Sequence, residues 1–393
     1  MAFELNTAQE EVVAKAVDWY NNSSEQVFQF DGRAGTGKSV VLNSIIERLH
    51  LNLADIAPMS YIGAAAIVMR LKGMDNAKTI HSWLFEPKIV YDYTNMDTYL
   101  NKPKAKLIFA PKPLGNKKLI CIDEAGSVPF WLKEKLECRG VKIIACGDLN
   151  QLPPVADTPA YLYSGKIHHL TQIMRQSKYS AIIYLADLLL AGKRIDPGMY
   201  GNVFVIYDYQ LTDSMLLNSE VIICGKNATR DKFNKYIRKN LFHIEGKLPS
   251  HGERMVCRKN NWQVDAEGIN LANGLIGTVI SYPSVYGFDG KTFDIDFKPD
   301  LFDGVFKDLK CDFKYFNADS KDRAMIKNSP YSEGEKFELA YAITTHIAQG
   351  SQYRNGIYYE EYLNRNINRN LNYTGITRFS NWCIYVIPTP KYY

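Results

Sequence analysis

Residues 26–50 read QVFQFDGRAGTGKSVVLNSIIERLH, and the succession of residue types in this stretch decides the fold. Gln26 to Phe30 alternates as a strand does, Asp31 to Gly37 is a glycine-rich turn, and Ser39 onward spaces its apolar residues at helical intervals. Strand, glycine turn and helix in that order open a β-α-β unit, which requires a parallel sheet. Gly32 to Ser39 (GRAGTGKS) also satisfies G-x-x-x-x-G-K-[ST] in full. Such a loop lets main-chain N–H groups approach phosphate, and the helix that follows adds its dipole. The pattern therefore predicts a nucleotide cradle built from Gly35, Thr36 and Gly37. Lys38 would neutralise the β- and γ-phosphates, and Ser39 would ligate Mg²⁺.

Two further apolar runs lie downstream. Leu119-Ile120-Cys121-Ile122 ends in Asp123 and Glu124, and Val141 to Cys146 ends in Gly147 and Asp148. Continuous runs of this kind suit strands covered on both faces, and polar residues just past strand ends mark where open α/β sheets bind ligands. Adjacent carboxylates after a buried strand are costly unless a cation or a reacting water uses them. Asp123 is assigned to the metal and Glu124 to polarising the attacking water.

The fold class expected is α/β, with two parallel-sheet domains and one insertion in each. The first domain covers 1–85 and 117–156. Its insertion, 86–116, holds Tyr91, Tyr93, Tyr99, a Lys102/Lys104/Lys106 stretch and three prolines that break any helical period. The second domain covers 157–240 and 336–393. Its insertion, 241–335, reads as all-β and barrel-like, punctuated by Asn-Gly at 273–274 and Asp-Gly at 289–290.

Composition bounds the rest. A hydrophobic fraction of 46% with 23% charged residues fits a globular chain of 393 residues and excludes a disordered one. A net charge of +5 is too small to point to nucleic acid alone. No apolar run reaches the roughly 18–20 residues of a membrane span, and the first residues lack a secretion signal. Seven cysteines without a C-x-x-C pair read as reduced core thiols, so a cytoplasmic protein without membrane attachment is expected.

Further segments narrow the field. Gly147 to Val155 (GDLNQLPPV), Thr79-Ile80-His81, Ala340 to Ser351 (AYAITTHIAQGS), Tyr373 to Arg378 (YTGITR) and Leu5-Asn6-x-x-Gln9 resemble, in order, the elements of superfamily 1 helicases. The resemblance is to the RecD/Dda-like branch, whose second-domain barrel often carries N-G-x-x-G, as Asn273 to Gly277 does here. It implies that both sheet domains are RecA-like and that ATP hydrolysis is coupled to 5′→3′ translocation and DNA unwinding, with ATP and Mg²⁺ as cofactors. Single-stranded DNA and duplex junctions would be the partners of a monomeric motor serving replication, repair or recombination proteins.

By position, the resemblance implies that Gln9 reads the adenine edge, Gln151 senses the γ-phosphate or its water, and Gly350 belongs to the nucleotide site. Arg175 and Arg378 would reach the γ-phosphate from the second domain. Pro58, Ser60, His81, Asn227, Thr344 and His346 would touch DNA. The other five histidines, His50, His168, His169, His243 and His251, are read as structural, and Trp262 as either a base stacker or a core residue. The 86–116 insertion would be a strand-splitting pin. Departures are Gly126 in the acidic motif, the missing lysine in Pro58 to Ala65, Ile347 where relatives often carry lysine, and Gln352 where many carry glutamate. The two lysine losses remove phosphate contacts and would weaken the salt dependence of DNA binding. Other readings are a single-strand translocase or RNA helicase that remodels protein–nucleic-acid complexes, and a nucleotide-gated nucleic-acid-binding module.

Overall fold

The computed structural model describes residues 4–97, 102–172, 180–286, 290–327, 333–364 and 366–390. The strand opening the glycine loop, β1 (Val27–Gly32), lies inside a six-stranded sheet with β2 (Ile56–Ser60) and β3 (Lys78–Thr79). A hairpin of β4 (Phe85–Asp97) and β5 (Lys102–Pro111) follows, before β6 (Leu119–Asp123), β7 (Lys142–Gly147) and β8 (Ile167–Leu170) complete the sheet. The order is β3-β2-β6-β7-β1-β8, and every pairing is parallel. Parallel register brings all the strand ends to one edge: Ser60 lies beside Asp123, and Asp31 beside Gly147.

Both faces of this sheet are covered, which is why its central strands β2, β6 and β7 are largely apolar. Val12, Val13, Ala16, Val41, Leu42 and Ile45, from helices Thr7–Asn22 and Lys38–Arg48, pack on one face. Ile80, Leu84, Leu132 and Leu136 pack on the other. Burying each of these valine, leucine and isoleucine side chains contributes about 1.5–3 kcal/mol. The boundary drawn at residue 156 falls short of this sheet's last strand. Ile167–Leu170 pairs with Gln29–Gly32 of β1. Its two histidines disguise it as irregular chain, yet one stacks on Phe28 (His168, centroids 4.7 Å apart) and the other pairs with Asp31 (His169).

The second domain begins with β9 (Gly198–Tyr200), β10 (Val203–Tyr207) and β11 (Ile222–Cys224). An insertion then supplies β12 (Arg254–Cys257), β13 (Asn261–Ala266), β14 (Ile269–Leu271), β15 (Ile276–Val279), β16 (Ser284–Tyr286), β17 (Thr292–Pro299), β18 (Phe306–Asp312) and β19 (Phe337–Leu339). The domain resumes with β20 (Ala342–Thr344), β21 (Tyr353–Tyr359) and β22 (Phe379–Ile387). The second sheet runs β20-β11-β21-β22-β10-β9, parallel except for β9.

The insertion is an antiparallel sheet, β16-β17-β15-β12-β19 with β18 also on β17, around Phe293, Phe297, Phe306 and Phe337. It also carries two short helices, Phe313–Asn317 and Ser320–Lys327, that the sequence reading did not mark, and it closes with β19, past residue 335. A buried charge cluster joins it to helix Asn227–Tyr236. Glu338 takes Arg230 at 2.9 Å, Arg258 at 3.2 Å and the Tyr315 hydroxyl at 2.8 Å. Burial alone would raise the Glu338 carboxyl, but Arg258, Arg230 and Arg323 outweigh it and hold it below the usual range. Removing one partner of such a cluster costs about 3–5 kcal/mol, because the other charge stays buried.

The β4–β5 hairpin leaves the first domain and rests on the second domain's insertion. Phe109 meets Trp262 edge to face, centroids 5.9 Å apart, which places Trp262 at an inter-element contact. Tyr91 and Tyr93 lie on β4, and Tyr99 is outside the described residues. Among the described residues, no helix is long and apolar enough to cross a membrane.

Candidate active site

The loop after β1 needs left-handed backbone at two glycines, Gly35 (φ 85°) and Gly37 (φ 84°), where a side chain would be strained. A Cβ at Gly37 would also lie 2.5 Å from Gln9 Nε2. Thr36 is buried, its hydroxyl donating to the Arg33 carbonyl at 2.9 Å. Gln9 is buried beside it. Its Nε2 donates to the Thr36 carbonyl at 2.9 Å, and its Oε1 accepts from the Asn6 N–H at 3.0 Å in a capping box. Each end of the Gln9 amide thus makes one bond that shapes the loop or its flanking helix. The Lys38 ammonium folds back on the Gly32 and Arg33 carbonyls, at 2.7 and 3.3 Å.

The ends of β6 and β7 face this loop. Asp123 Oδ1 accepts from the Glu124 N–H at 2.9 Å and from Cys146 Sγ at 3.5 Å. Glu124 has φ 52°, a left-handed conformation that costs a non-glycine residue about 1–3 kcal/mol and is held only by its surroundings. Ser127 supplies part of that hold, its N–H and hydroxyl both donating to the Glu124 carbonyl. Burial pushes the Glu124 carboxyl above the usual range, and neighbouring Asp123 adds to the shift; Arg378 and Lys38 pull it back. A poised, partly protonatable carboxyl opposite a phosphate cradle suits proton transfer.

These groups line one cleft of about 570 Å³ between the domains. Gln9, Gly35, Gly37, Lys38, Ser39, Asp123, Glu124 and Gln151 enter it from the first domain, and Gly350 and Arg378 from the second. Gln151 is buried, and its Oε1 has no hydrogen-bond partner among the described residues, so an acceptor remains for a ligand or water. The Arg378 guanidinium is held by the Thr374 carbonyl (3.1 Å) and the Ser351 carbonyl (3.3 Å), its charge close enough to act on Glu124. Arg175 lies outside the described residues.

The seam between the domains is hydrogen-bonded at the cleft's edge. The Tyr373 hydroxyl accepts from the Ala34 N–H of the loop (3.2 Å) and donates to Asp148 Oδ2 (2.6 Å). The Leu152 N–H donates to Thr374 Oγ1 at 2.9 Å, and Gln349 Nε2 to the Leu152 carbonyl at 3.0 Å. The sequence reading missed Tyr373 as a bridge because its partners are distant in the chain. It also missed Lys72, which lines the cleft and contacts Ser39.

The six strand-contact candidates are dispersed in kind. Pro58 and Ser60 are buried, the Pro58 carbonyl taking the Trp83 indole N–H at 2.8 Å and the Ser60 hydroxyl the Ile62 N–H at 3.3 Å. Thr344 is buried as well, ending β20. Asn227 is exposed at a helix start, and His346 is half-buried. His81 lies among Tyr61, Phe85 and Trp131, with ring centroids 5.7–6.0 Å away. Tyr61 and Trp131 are exposed, making an aromatic patch around the half-buried imidazole. Burial lowers the pKa of both His81 and His346, so both are neutral near pH 7.

Residues 4–201, just over half of the chain, match the model of the AAA domain family. The chain belongs to the AAA domain family. Among curated relatives, an uncharacterized protein of Methanocaldococcus jannaschii is 25% identical over 433 aligned positions, covering 88% of this chain and 35% of its own length. An uncharacterized protein of Acanthamoeba polyphaga mimivirus is 23% identical over 256, covering 60% and 48%. The chain thus spans between about a third and a half of the length of these relatives. Among solved structures, the Pif1 helicase of Candida albicans superposes with TM-score 0.57 at 18% identity, covering 98% of this chain and 94% of that one. Bacteroides Pif1 helicase in complex with ADP-AlF3 and ssDNA gives 0.56 at 18% identity, covering 98% and 95%. This AAA-family chain therefore has the two-domain fold of Pif1 helicases, which is the superfamily 1 fold its motifs resemble.

Proposed function

We propose that the protein hydrolyses ATP and uses the energy to move 5′→3′ along single-stranded DNA and unwind duplex. One observation carries this reading: a phosphate cradle and two acids from one domain share a cleft with an arginine from the other. A guanidinium from the second domain can stabilise transition-state charge only while the domains are together, which ties hydrolysis to their relative movement.

The donors at the cradle fit magnesium. Ser39 Oγ and the Asp123 carboxylate are hard oxygens, and Mg²⁺ takes one or two such protein ligands beside waters and phosphates. Bound there, the ion would neutralise charge on the phosphates. Lys38 exchanges its carbonyl partners for phosphate oxygens, Glu124 accepts the proton of the attacking water, and the unpaired Gln151 Oε1 orients that water. Arg378 meets the charge developing on the transferred phosphate. Gln9 holds the loop through the Thr36 carbonyl, and its second Nε2 hydrogen and second Oε1 lone pair would serve the adenine edge. Arg175 remains a candidate second arginine from its place in the sequence alone.

On the nucleic-acid side, the Tyr61–His81–Trp131 patch offers neutral ring faces for bases, the sequence-tolerant contact a translocating motor needs. Asn227 and His346 would add polar contacts, with Pro58, Ser60 and Thr344 supporting the backbone beneath them. The β4–β5 hairpin, braced by Trp262, would part the strands.

The deciding experiment is ATP hydrolysis with and without single-stranded DNA or RNA, paired with unwinding of 5′-tailed and 3′-tailed duplexes. Hydrolysis stimulated by DNA and unwinding only from the 5′ tail is expected. Unwinding from a 3′ tail alone would refute the polarity, stimulation by RNA alone the substrate, and hydrolysis indifferent to both the motor.

A further inference from the structure

The motif at the cradle accounts for one lysine, but the cleft holds two. Lys72 follows helix Gly63–Leu71, and its N–H caps that helix on the Val68, Met69 and Arg70 carbonyls. The end of a helix where carbonyls accumulate favours a cation. From there the ammonium reaches into the cleft and donates to Ser39 Oγ at 3.2 Å. Lys38 lines the same cleft from the loop, its own ammonium resting on the Gly32 carbonyl, so two lysines border this volume.

Their partners differ in a telling way. Lys38 rests on two main-chain carbonyls of its own loop, whereas Lys72 rests on a neutral hydroxyl, the atom assigned to the metal. A Mg²⁺ ion on that oxygen would take its lone pair and repel the ammonium. The Lys72 ammonium would then be free for another acceptor, and the phosphates of a nucleotide bound in this cleft would offer one.

We propose that Lys72 is a second phosphate-binding cation of this site, gripping the terminal phosphate of a bound nucleoside triphosphate and so discriminating triphosphate from diphosphate. This rests on the nucleotide reading of the cleft. It adds a residue that no motif supplies, one 33 positions beyond the cradle's serine and carried by a different helix.

The test is equilibrium binding of fluorescent ADP and of a fluorescent non-hydrolysable ATP analogue, each with Mg²⁺, to wild type, Lys72→Met and Lys72→Arg. In Lys72→Met, affinity for the triphosphate analogue should fall about 10- to 100-fold, the scale of one charged hydrogen bond. Affinity for ADP should stay within about threefold, and Lys72→Arg should restore most of the loss. Equal loss for both nucleotides, loss for neither, or no rescue by arginine would overturn the proposal. Thermal melting of each variant separates lost contact from lost fold, since Lys72 is exposed and its removal should leave the transition in place. Wild type that binds neither nucleotide would overturn the reading of the cleft itself.

Discussion

The nucleotide cleft and the face carrying the strand-contact candidates are assembled by opposite rules. In the cleft, the residues named by sequence are also those whose side chains meet: Lys38, Asp123, Glu124, Gln151 and Arg378 border one volume. Elsewhere, Pro58, Ser60 and Thr344 are buried, while of the exposed rings Tyr61 fills a variable position of the Pro58 to Ala65 segment and Trp131 lies outside every motif quoted. Phosphate chemistry demands fixed backbone geometry over a few adjacent residues, and such geometry leaves a pattern in sequence. Stacking on a base demands only an exposed ring in roughly the right place, which many sequences can supply.

Substitutions should separate the two regions by size of effect. Arg378→Ala attacks the cleft from the second domain and should lower kcat by about 10³- to 10⁵-fold while nucleotide still binds, as read by steady-state hydrolysis and a binding titration. Near-normal kcat would remove it from the site. Glu124→Gln should lower kcat by about 10²- to 10⁴-fold and keep ATP bound. It should also abolish the acid limb of the pH–rate profile. Burial and Asp123 raise the Glu124 carboxyl, and the base works ionised, so wild-type activity should climb with pH through a value above the ordinary carboxylate range. An acid limb at or below that range would contradict the environment described.

Trp131→Ala tests the face. Loss of one stacking partner should weaken single-strand affinity by about 1–3 kcal/mol while DNA-free hydrolysis is unchanged, measured by fluorescence anisotropy alongside hydrolysis. An equal fall in both would mean that the two regions are not separable. The smallest effect is expected from Trp262→Ala, where about 0.5–1.5 kcal/mol of ring contact with Phe109 is at stake. Unwinding should drop while single-strand translocation persists; a parallel fall in both would place Trp262 on the track instead of the hairpin.

Much of the architecture could be read from the chain before folding. The loop at 32–39, the acids after β6 and the run from Gly147 to Val155 each combine local geometry with local chemistry, and each follows a strand of the first sheet. What escaped depends on partners far away in sequence. β8 hides because His168 and His169 look polar until Phe28 and Asp31 are seen beside them. Helices Phe313–Asn317 and Ser320–Lys327 are too short for their periodicity to stand out among strands. Lys72 is one exposed lysine among many until its helix aims it at Ser39. Gln9, conversely, is legible by position, yet its amide also bonds Thr36 and Asn6.

The ring contact at the hairpin's root has a mechanical corollary. Phe109 belongs by chain to the domain that holds the phosphates, and Trp262 to the body inserted in the other. Any swing of one half against the other must either break that edge-to-face touch or tilt the blade with it. A strut of two aromatic rings thus lets a change at the cleft arrive at the hairpin as leverage, with no joint needed inside it.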